Sequence, residues 1–160
     1  MAYALLLLKR VGALYQSKLG EEGKVARARI LLADDHQGMR DRVIRMLRQE
    51  FEMLEPVQDG RALLEAASKL QPDVCLMDIS MPIINGIEAA ARLKESGSKA
   101  KIIFLTIHED QDFLVAALKA GASGYVVKPR MASDLRDAVK EVLAGRTYIS
   151  SSLCSSTSTD

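Results

Sequence analysis

The stretch "VCLMDISMPIING" (residues 74–86) begins as a continuous apolar run and ends in turn-forming residues, with Asp78 at the junction. An apolar run of this kind, opened by Pro72, predicts a strand buried on both faces. An unpaired carboxylate inside such a strand would be costly, so we expect Asp78 at the strand end. Whether Asp78 has a function depends on what the neighbouring strands place beside it.

Short apolar runs and longer amphipathic segments alternate from residue 28 onward. The predicted strands are 28–35, 51–58, 72–78, 100–106 and 124–128. The predicted helices are 38–50, 60–70, 86–96, 110–121 and 132–146. Strict alternation indicates βαβ units, and therefore an α/β domain with a doubly wound, five-stranded parallel sheet. Pro56 favours an edge position for the second strand, Gly121 is expected to end the fourth helix, and Ser133 is expected to cap the fifth.

Composition fits one globular domain without an obvious nucleic-acid surface. The chain has 160 residues, of which 48% are hydrophobic, and a net charge of +1. Residues 1–29 hold six basic and two acidic residues, which leaves 16 basic and 19 acidic residues, a net charge of −3, for 30–160. Such a balance disfavours nucleic-acid binding. Two cysteines and no signal-peptide pattern predict a cytoplasmic protein without disulfides.

The two ends differ from the alternating body. Residues 1–27 are predicted to be an N-terminal extension, partly helical or disordered, with an over-long start assignment and a true start near Val25 as one alternative. A membrane-surface helix is the least favoured interpretation, because the segment carries few charges. Residues 148–160 are rich in Ser and Thr and predict a flexible tail that leaves no room for an output domain.

Reactive side chains follow four of the five predicted strands. They are Asp34 and Asp35, Asp78, Thr106 and Lys128. In a doubly wound sheet, the carboxyl ends of the strands share one edge, and ligands bind there at the point where strand order reverses. One acidic residue after a strand is usually a helix cap, and one strand-end lysine is usually solvated. Five such residues at one edge indicate a functional site.

The chemistry of this group favours phosphoryl transfer. Clustered carboxylates repel each other unless a cation neutralises them, and hard oxygen ligands suit Mg²⁺. A carboxylate can also act as a nucleophile and form an aspartyl-phosphate. The transferred group then needs positive charge and hydrogen-bond donors already in position. Mg²⁺, the Lys128 ammonium and the Thr106 hydroxyl would supply them around Asp78.

Four motifs carry a resemblance to a known family. They are "LLADDH" (31–36), "LMDISMPIINGIEA" (76–89), "IIFLTIHED" (102–110) and "GASGYVVKP" (121–129). With them, residues 28–147 resemble the receiver domain of a bacterial two-component response regulator, a flavodoxin-like (β/α)5 fold with strand order 2-1-3-4-5. The motifs "LTIHED", "AGASGYVVKP" and "DAVKEVLAGRTYIS" resemble the NarL/FixJ subfamily, whose receivers precede a LuxR-type helix-turn-helix.

The resemblance implies a role for each acidic residue. Asp78 would be the phosphoacceptor and Lys128 would pair with the phosphoryl group. Asp35 would bind Mg²⁺ directly and Asp34 through water. Asp78 and the backbone carbonyl of Ser80 would complete the protein ligands.

The resemblance also implies a switch. Thr106 would move toward the phosphoryl group, and the rotamer of Tyr125 would follow. His108 would modulate dephosphorylation and partner access, although a lone loop histidine is usually solvated. Gly86 would form the turn before the third helix, and Pro129 would follow a cis Lys128–Pro129 bond.

We therefore predict a phosphorylation-dependent signalling switch of a phosphorelay, which catalyses only its own phosphorylation and dephosphorylation. Its partners would be a histidine kinase or phosphotransfer protein, and an effector or second copy bound through the last helix–strand–helix face. The chain alone would bind neither nucleic acid nor membrane. An alternative is the truncated receiver of a LuxR-type transcriptional regulator. An Asp-nucleophile phosphatase is disfavoured, because Ser80 replaces the second acid such enzymes usually carry.

Two surface features stay open at this stage. Arginines on the first helix are predicted to form a solvated face, with kinase docking as the alternative. They are Arg40, Arg42, Arg45 and Arg48. Apolar residues after Asp78 could form a partner surface if their loop stands clear of the core. They are Met81, Ile83 and Ile84.

Overall fold

Continuous apolar runs form the inner strands of a sheet in the computed structural model, which describes residues 26–154. The strands are β1 (Arg29–Ala33), β2 (Glu52–Met53), β3 (Val74–Met77), β4 (Lys101–Thr106), β5 (Gly124–Val127) and β6 (Tyr148–Ile149). The helices are α1 (Gln37–Leu47), α2 (Gly60–Leu70), α3 (Gly86–Glu95), α4 (Gln111–Lys119), α5 (Met131–Leu143) and α6 (Ser151–Cys154). Predictions for residues 1–25 and 155–160 lie outside the described residues.

Strand order places a crevice between β1 and β3. Within residues 26–154, the strands form one parallel sheet in the order β2-β1-β3-β4-β5-β6. The α/β class and the predicted order 2-1-3-4-5 are confirmed, and β6 adds a sixth strand at the β5 edge. The chain runs from β1 outward to β2 and then returns across β1 to β3. Order therefore reverses at the carboxyl ends of β1 and β3, where doubly wound domains bind ligands.

The two faces of the sheet form two separate cores. Leu31 and Cys75 point to the side covered by α2, α3 and α4. Ile30 and Leu76, their immediate neighbours, point to the side covered by α1 and α5. Since successive strand residues face opposite ways and both faces are covered, the inner strands are apolar except at the strand ends Arg29, Lys101 and Thr106. None of the helices in the described part of the chain is long and apolar enough to cross a membrane.

Helix ends agree with the sequence in one case and differ in another. Gly121 has a φ of 101° and follows the last turn of α4, where Ala122 donates its amide to the Ala117 carbonyl at 3.1 Å. Gly121 therefore ends α4 as predicted. The prediction that Ser133 caps α5 is wrong. A 3-10 turn joins β5 directly to α5, so α5 starts earlier and Arg130 is its N-cap.

Residues 148–154 differ from the predicted flexible tail, because they extend the sheet and then dock. The Ser150 amide donates to the Tyr125 carbonyl at 2.9 Å, which continues the β5–β6 pairing. The buried Ser150 hydroxyl donates to Asp134 at 2.7 Å and accepts from the Val127 amide at 3.2 Å. Leu153 is buried in the core beneath α4. The polar composition of the segment concealed these two inward-facing residues.

Candidate functional site

Two buried carboxylates share one lysine at the crevice between β1 and β3. Asp34 directly follows β1 and is 2% exposed, and Asp78 directly follows β3 and is 5% exposed. Lys128, which directly follows β5, donates from Nζ to Asp34 Oδ2 at 3.0 Å and to Asp78 Oδ2 at 2.7 Å. We call these three residues the acid–lysine centre. Three strand ends predicted to meet at this edge do meet there.

The ammonium of Lys128 is well suited to hold both acids. Burial alone would lower the pKa of Lys128, but the hydrogen bonds and negative charges of Asp78 and Asp34 outweigh it and raise that pKa. Lys128 is therefore fully charged at neutral pH. A buried carboxylate without such a partner would be strongly destabilising, so each member of the centre depends on the others.

A second cluster extends the site toward solvent. Within residues 26–154, a group able to hold a metal ion consists of Asp34, Asp35 and His36. His36 Nδ1 lies 2.9 Å from Asp35 Oδ1 and 3.4 Å from Asp34 Oδ1. His36 is the N-cap of α1, and nothing in the sequence indicated that its ring lies close to both acids. The carboxylate oxygens of Asp34 and Asp35, one buried and one facing solvent, fit the ligand preference of Mg²⁺.

Ser80 lies where it can approach the acid–lysine centre. Its side chain is exposed, and its amide nitrogen is 3.4 Å from Asp78 Oδ1 as a hydrogen-bond donor. This contact is long, so Asp78 Oδ1 is held far less firmly than Asp78 Oδ2, which meets Lys128. The role of the Ser80 carbonyl as a metal ligand stays a prediction.

Thr106 and Tyr125 both contact the backbone of His108. Thr106 is fully buried at the end of β4, and its hydroxyl accepts a hydrogen bond from the His108 amide at 3.2 Å. Tyr125 is also fully buried, and its hydroxyl donates to the His108 carbonyl at 2.8 Å. Burial, with smaller contributions from the charges of Asp110 and Asp78, raises the pKa of Tyr125 to about 12. The Tyr125 ring therefore already points inward while Asp78 is bound to Lys128.

The half-buried side chain of His108 has two side-chain partners, Phe113 and Ser80. Its ring stacks on Phe113 with a centroid distance of 4.0 Å and an interplanar angle of 19°. Its Nε2 lies 2.9 Å from the Ser80 hydroxyl. The loop that follows Asp78 and the loop that follows Thr106 are thereby joined through side chains. The sequence singled out His108 but gave no sign of these contacts, since Ser80 lies 28 residues away.

The two predicted backbone features have different outcomes. Gly86 opens α3 directly behind the nucleophile candidate, and a Cβ there would overlap the Asp78 carbonyl oxygen and the Phe104 ring. Gly86 is thus the first residue of α3, whose N-cap is Asn85, and its predicted role in the turn before this helix stays a prediction. The prediction of a cis Lys128–Pro129 bond is wrong, because no peptide bond in residues 26–154 is cis. Pro129 instead lies in the 3-10 turn that leads into α5, where its missing N–H leaves no partner unsatisfied.

The loop after Asp78 exposes less apolar surface than expected. Met81 is 8% exposed and Ile84 is 7% exposed, so both pack into the core beneath α3. Ile83 alone of these three is exposed, at 64%, and has a φ of 70°. The predicted apolar partner surface is therefore wrong for Met81 and Ile84. The loop turns the first and last residues of 81–84 inward and leaves the two between them exposed.

The fold and the site define a receiver-type α/β domain, with paired acids and a lysine at the switch point of a parallel sheet. Comparison with known families agrees: residues 30–140 match the response regulator receiver domain. This chain belongs to that family, whose members work in two-component signalling. The alternative of a phosphatase-like hydrolase receives no support from this match.

Similar proteins include both short and long members of the family. The chain is 40% identical over 133 residues to the transcriptional regulatory protein DegU of Brevibacillus brevis, covering 82% of this chain and 56% of DegU. It is 38% identical over 114 residues to the chemotaxis protein CheY of Halobacterium salinarum, covering 71% of this chain and 95% of CheY. A crystal structure of a LuxR-family response regulator from Aurantimonas sp. SI85-9A1 superimposes with a TM-score of 0.77 at 31% identity, covering 81% of this chain and 94% of that one. This chain thus spans little more than half of DegU.

Proposed function

We propose that Asp78 accepts a phosphoryl group from a histidine kinase or phosphotransfer protein, and that this domain is the resulting signalling switch. The observation that carries the proposal is the position of Lys128, which holds Asp34 and Asp78 together at 3.0 Å and 2.7 Å. A buried carboxylate beside a fixed ammonium can receive a dianionic group without a large unfavourable charge. The half-free Asp78 Oδ1 would be the attacking oxygen.

The proposed reaction forms one bond to phosphorus and breaks another. Asp78 Oδ1 attacks the phosphorus of a donor phosphohistidine, the P–N bond breaks, and the imidazole nitrogen keeps the bonding electron pair. Lys128 would pair with a phosphoryl oxygen in the product. Water would later break the new P–O bond and restore the Asp78 carboxylate and inorganic phosphate. Bound at Asp34, Asp35, Asp78 and the Ser80 carbonyl, Mg²⁺ would neutralise charge on the phosphoryl oxygens.

We propose that the signal passes through Thr106 and His108 to the outer face. To reach the phosphoryl group, the Thr106 hydroxyl must give up the His108 amide, whose residue also holds the Tyr125 hydroxyl. The loop before α4 would then shift, and with it the α4–β5–α5 face that an effector or second copy would bind. His108, stacked beside the site, would modulate how fast the phosphoryl group is lost. The change is a population shift driven by local charge.

Phosphorylation can be tested by mass. Incubated with acetyl phosphate and MgCl₂, the protein should gain about 80 Da, the mass of one phosphoryl group. The gain should disappear in Asp78→Asn and persist in the control Asp112→Asn, which removes an exposed carboxylate from the first turn of α4. An unmodified wild-type protein, or equal modification of Asp78→Asn, would rule the proposal out.

A second candidate architecture is the receiver part of a LuxR-type DNA-binding regulator. It is favoured because the chain covers 56% of the transcriptional regulator DegU. The chain also covers 95% of CheY, as either a stand-alone receiver or the receiver part of a longer regulator would. The genomic reading frame beyond codon 160 decides between them. A helix-turn-helix encoded there supports the regulator, and a stop codon supports a stand-alone receiver.

A further inference from the structure

The three arginines of α1 and Arg48, its C-cap, are not equivalent. Arg42, Arg45 and Arg48 are exposed, whereas Arg40 is half-buried and its side chain turns back toward β1. Arg40 Nη1 donates to the backbone carbonyl oxygen of Asp34 at 2.7 Å, across six residues of chain. A hydrogen bond from a guanidinium is stronger and more directional than one between neutral groups. One arginine of α1 is therefore bound to the acidic turn.

This hydrogen bond completes the anchoring of Asp34. The Asp34 amide donates to the Val57 carbonyl at 3.1 Å. One Asp34 carboxylate oxygen accepts from the His36 amide at 2.8 Å, and the other accepts from Lys128 at 3.0 Å. Arg40 holds the carbonyl. Among these contacts, Arg40 alone acts on the peptide plane that joins Asp34 to Asp35.

Asp35 depends on that peptide plane more than Asp34 does. The Asp35 side chain is 35% exposed. Within residues 26–154, its carboxylate Oδ1 lies 2.9 Å from Nδ1 of the His36 ring. His36 is itself 73% exposed and gives little support. Rotation of the Asp34–Asp35 peptide would carry the Asp35 carboxylate away from that of Asp34. The spacing of these two carboxylates is what a shared cation would require.

We propose that Arg40 is a positioning residue for the Asp34–Asp35 pair, which it holds ready for a divalent cation without touching the ion. The inference rests on the proposed function, in which these two acids bind Mg²⁺. Residues that orient metal ligands typically change metal affinity by about 10–100-fold when they are replaced. A purely electrostatic role for Arg40 predicts the opposite sign, since removing a positive charge near the site would strengthen cation binding.

The test compares Arg40→Met with Arg42→Met, which removes an equal charge from the exposed side of the same helix. Mg²⁺ binding is measured by following backbone amide resonances during a titration with MgCl₂. We expect Arg40→Met to bind Mg²⁺ about 10–100-fold more weakly, and Arg42→Met to match wild type. The MgCl₂ concentration for half-maximal phosphorylation by acetyl phosphate should rise in parallel, while the rate at saturating MgCl₂ returns to that of wild type.

Several outcomes would overturn the inference. If circular dichroism shows that Arg40→Met does not fold, Arg40→Gln takes its place under the same criteria. Equal or tighter Mg²⁺ binding in the Arg40 variant overturns the positioning role, and so does a lower rate at saturating MgCl₂ with unchanged affinity. If wild type binds Mg²⁺ and is phosphorylated, such a result leaves the proposed function intact. If wild type does neither, the proposed function fails and the inference fails with it.

Discussion

Within residues 26–154, acidic side chains are buried in two places that differ in how the charge is held. In the acid–lysine centre, Asp34 and Asp78 are 2% and 5% exposed, and one ammonium reaches both from 94 and 50 residues away. Beside β6, Asp134 is 4% exposed and is held by neighbours close in sequence. They are Ser133, Ser150 and Arg130. Both places bury an acidic side chain. The hydrogen-bond partners of each carboxylate must therefore distinguish a reactive site from a structural one.

The partners leave different atoms available. Both oxygens of Asp134 accept strong hydrogen bonds, at 2.7 Å from the Ser133 hydroxyl and 2.7 Å from the Ser150 hydroxyl. Asp78 has one firmly held oxygen and one that meets only a long contact of 3.4 Å in the described part of the chain. A carboxylate with a half-free oxygen can react, whereas a saturated one holds elements together. The hydrogen bond between Asp134 and Ser150 joins α5 to the residue that follows β6.

The largest effect is expected when Lys128 is replaced. Lys128→Met leaves two buried carboxylates without their cation, and removing one partner of a buried pair costs about 3 kcal/mol of unfolding free energy. Urea unfolding at neutral pH measures it. Lys140→Met is the control, because its ion pair with Glu50 is exposed and such pairs contribute about 0–1 kcal/mol. Equal losses in the two variants would show that the centre does not depend on Lys128.

A smaller effect is expected at Ser150. Ser150→Ala removes the hydroxyl that serves both Asp134 and the Val127 amide, and leaving buried polar groups unsatisfied costs about 2 kcal/mol. The control is Ser68→Ala, an exposed serine on α2. Acetyl phosphate should still modify Asp78 in the Ser150 variant. Loss of modification without loss of stability would reverse the roles assigned to the two regions.

The smallest effect is a difference in pH dependence. Burial alone would raise the pKa of Asp134, but hydrogen bonds from the two serines and the charge of Arg130 lower it, so its contribution to stability is present above about pH 3.9 and is lost as pH falls through the lowered value. The raised pKa of Lys128 places its contribution below about pH 10.4, to be lost as pH rises through the raised value. The unfolding free energies of Asp134→Asn and Lys128→Met are compared with that of wild type across pH. The value for Asp134→Asn should approach the wild-type value at acidic pH, and the value for Lys128→Met should approach it at alkaline pH. Convergence at the same end would contradict the assigned partners.

Much of the acid–lysine centre could be predicted because it depends on topology alone. Alternating runs imply parallel strands, and parallel strands deliver their last residues to one edge, so Asp34, Asp78 and Lys128 had to be neighbours. The hydrogen bonds from Lys128 to Asp34 and Asp78 follow from opposite charge and from a side chain long enough to reach both. The reversal of strand order between β1 and β3 then places the crevice beside Asp34 and Asp78.

The features that were missed depend on side-chain reach or on burial in polar segments. No periodicity reveals that Arg40 turns back to a carbonyl, or that the His108 ring lies on Phe113. The tail around Ser150 is polar in composition, yet its inward-facing hydroxyl finds Asp134 and therefore folds. Pro129 is compatible with a cis or a trans Lys128–Pro129 bond, and this bond is trans in the 3-10 turn. Ser133 lost its capping role because that turn moved the N-cap of α5 three residues earlier, to Arg130.

The strand β6 has a consequence for how the molecule behaves at high concentration. An uncovered strand edge is a template for pairing with another chain, and β5, with the sequence "GYVV", is buried and uncharged along its length. Tyr148 of β6 and Ser150, directly after β6, occupy that edge by donating their amides to the Ser123 and Tyr125 carbonyls. A domain that ends at residue 147 would keep the acid–lysine centre, but β5 would become an exposed edge strand. We therefore expect the domain cut back to residue 147 to associate through β5 more readily than the full chain.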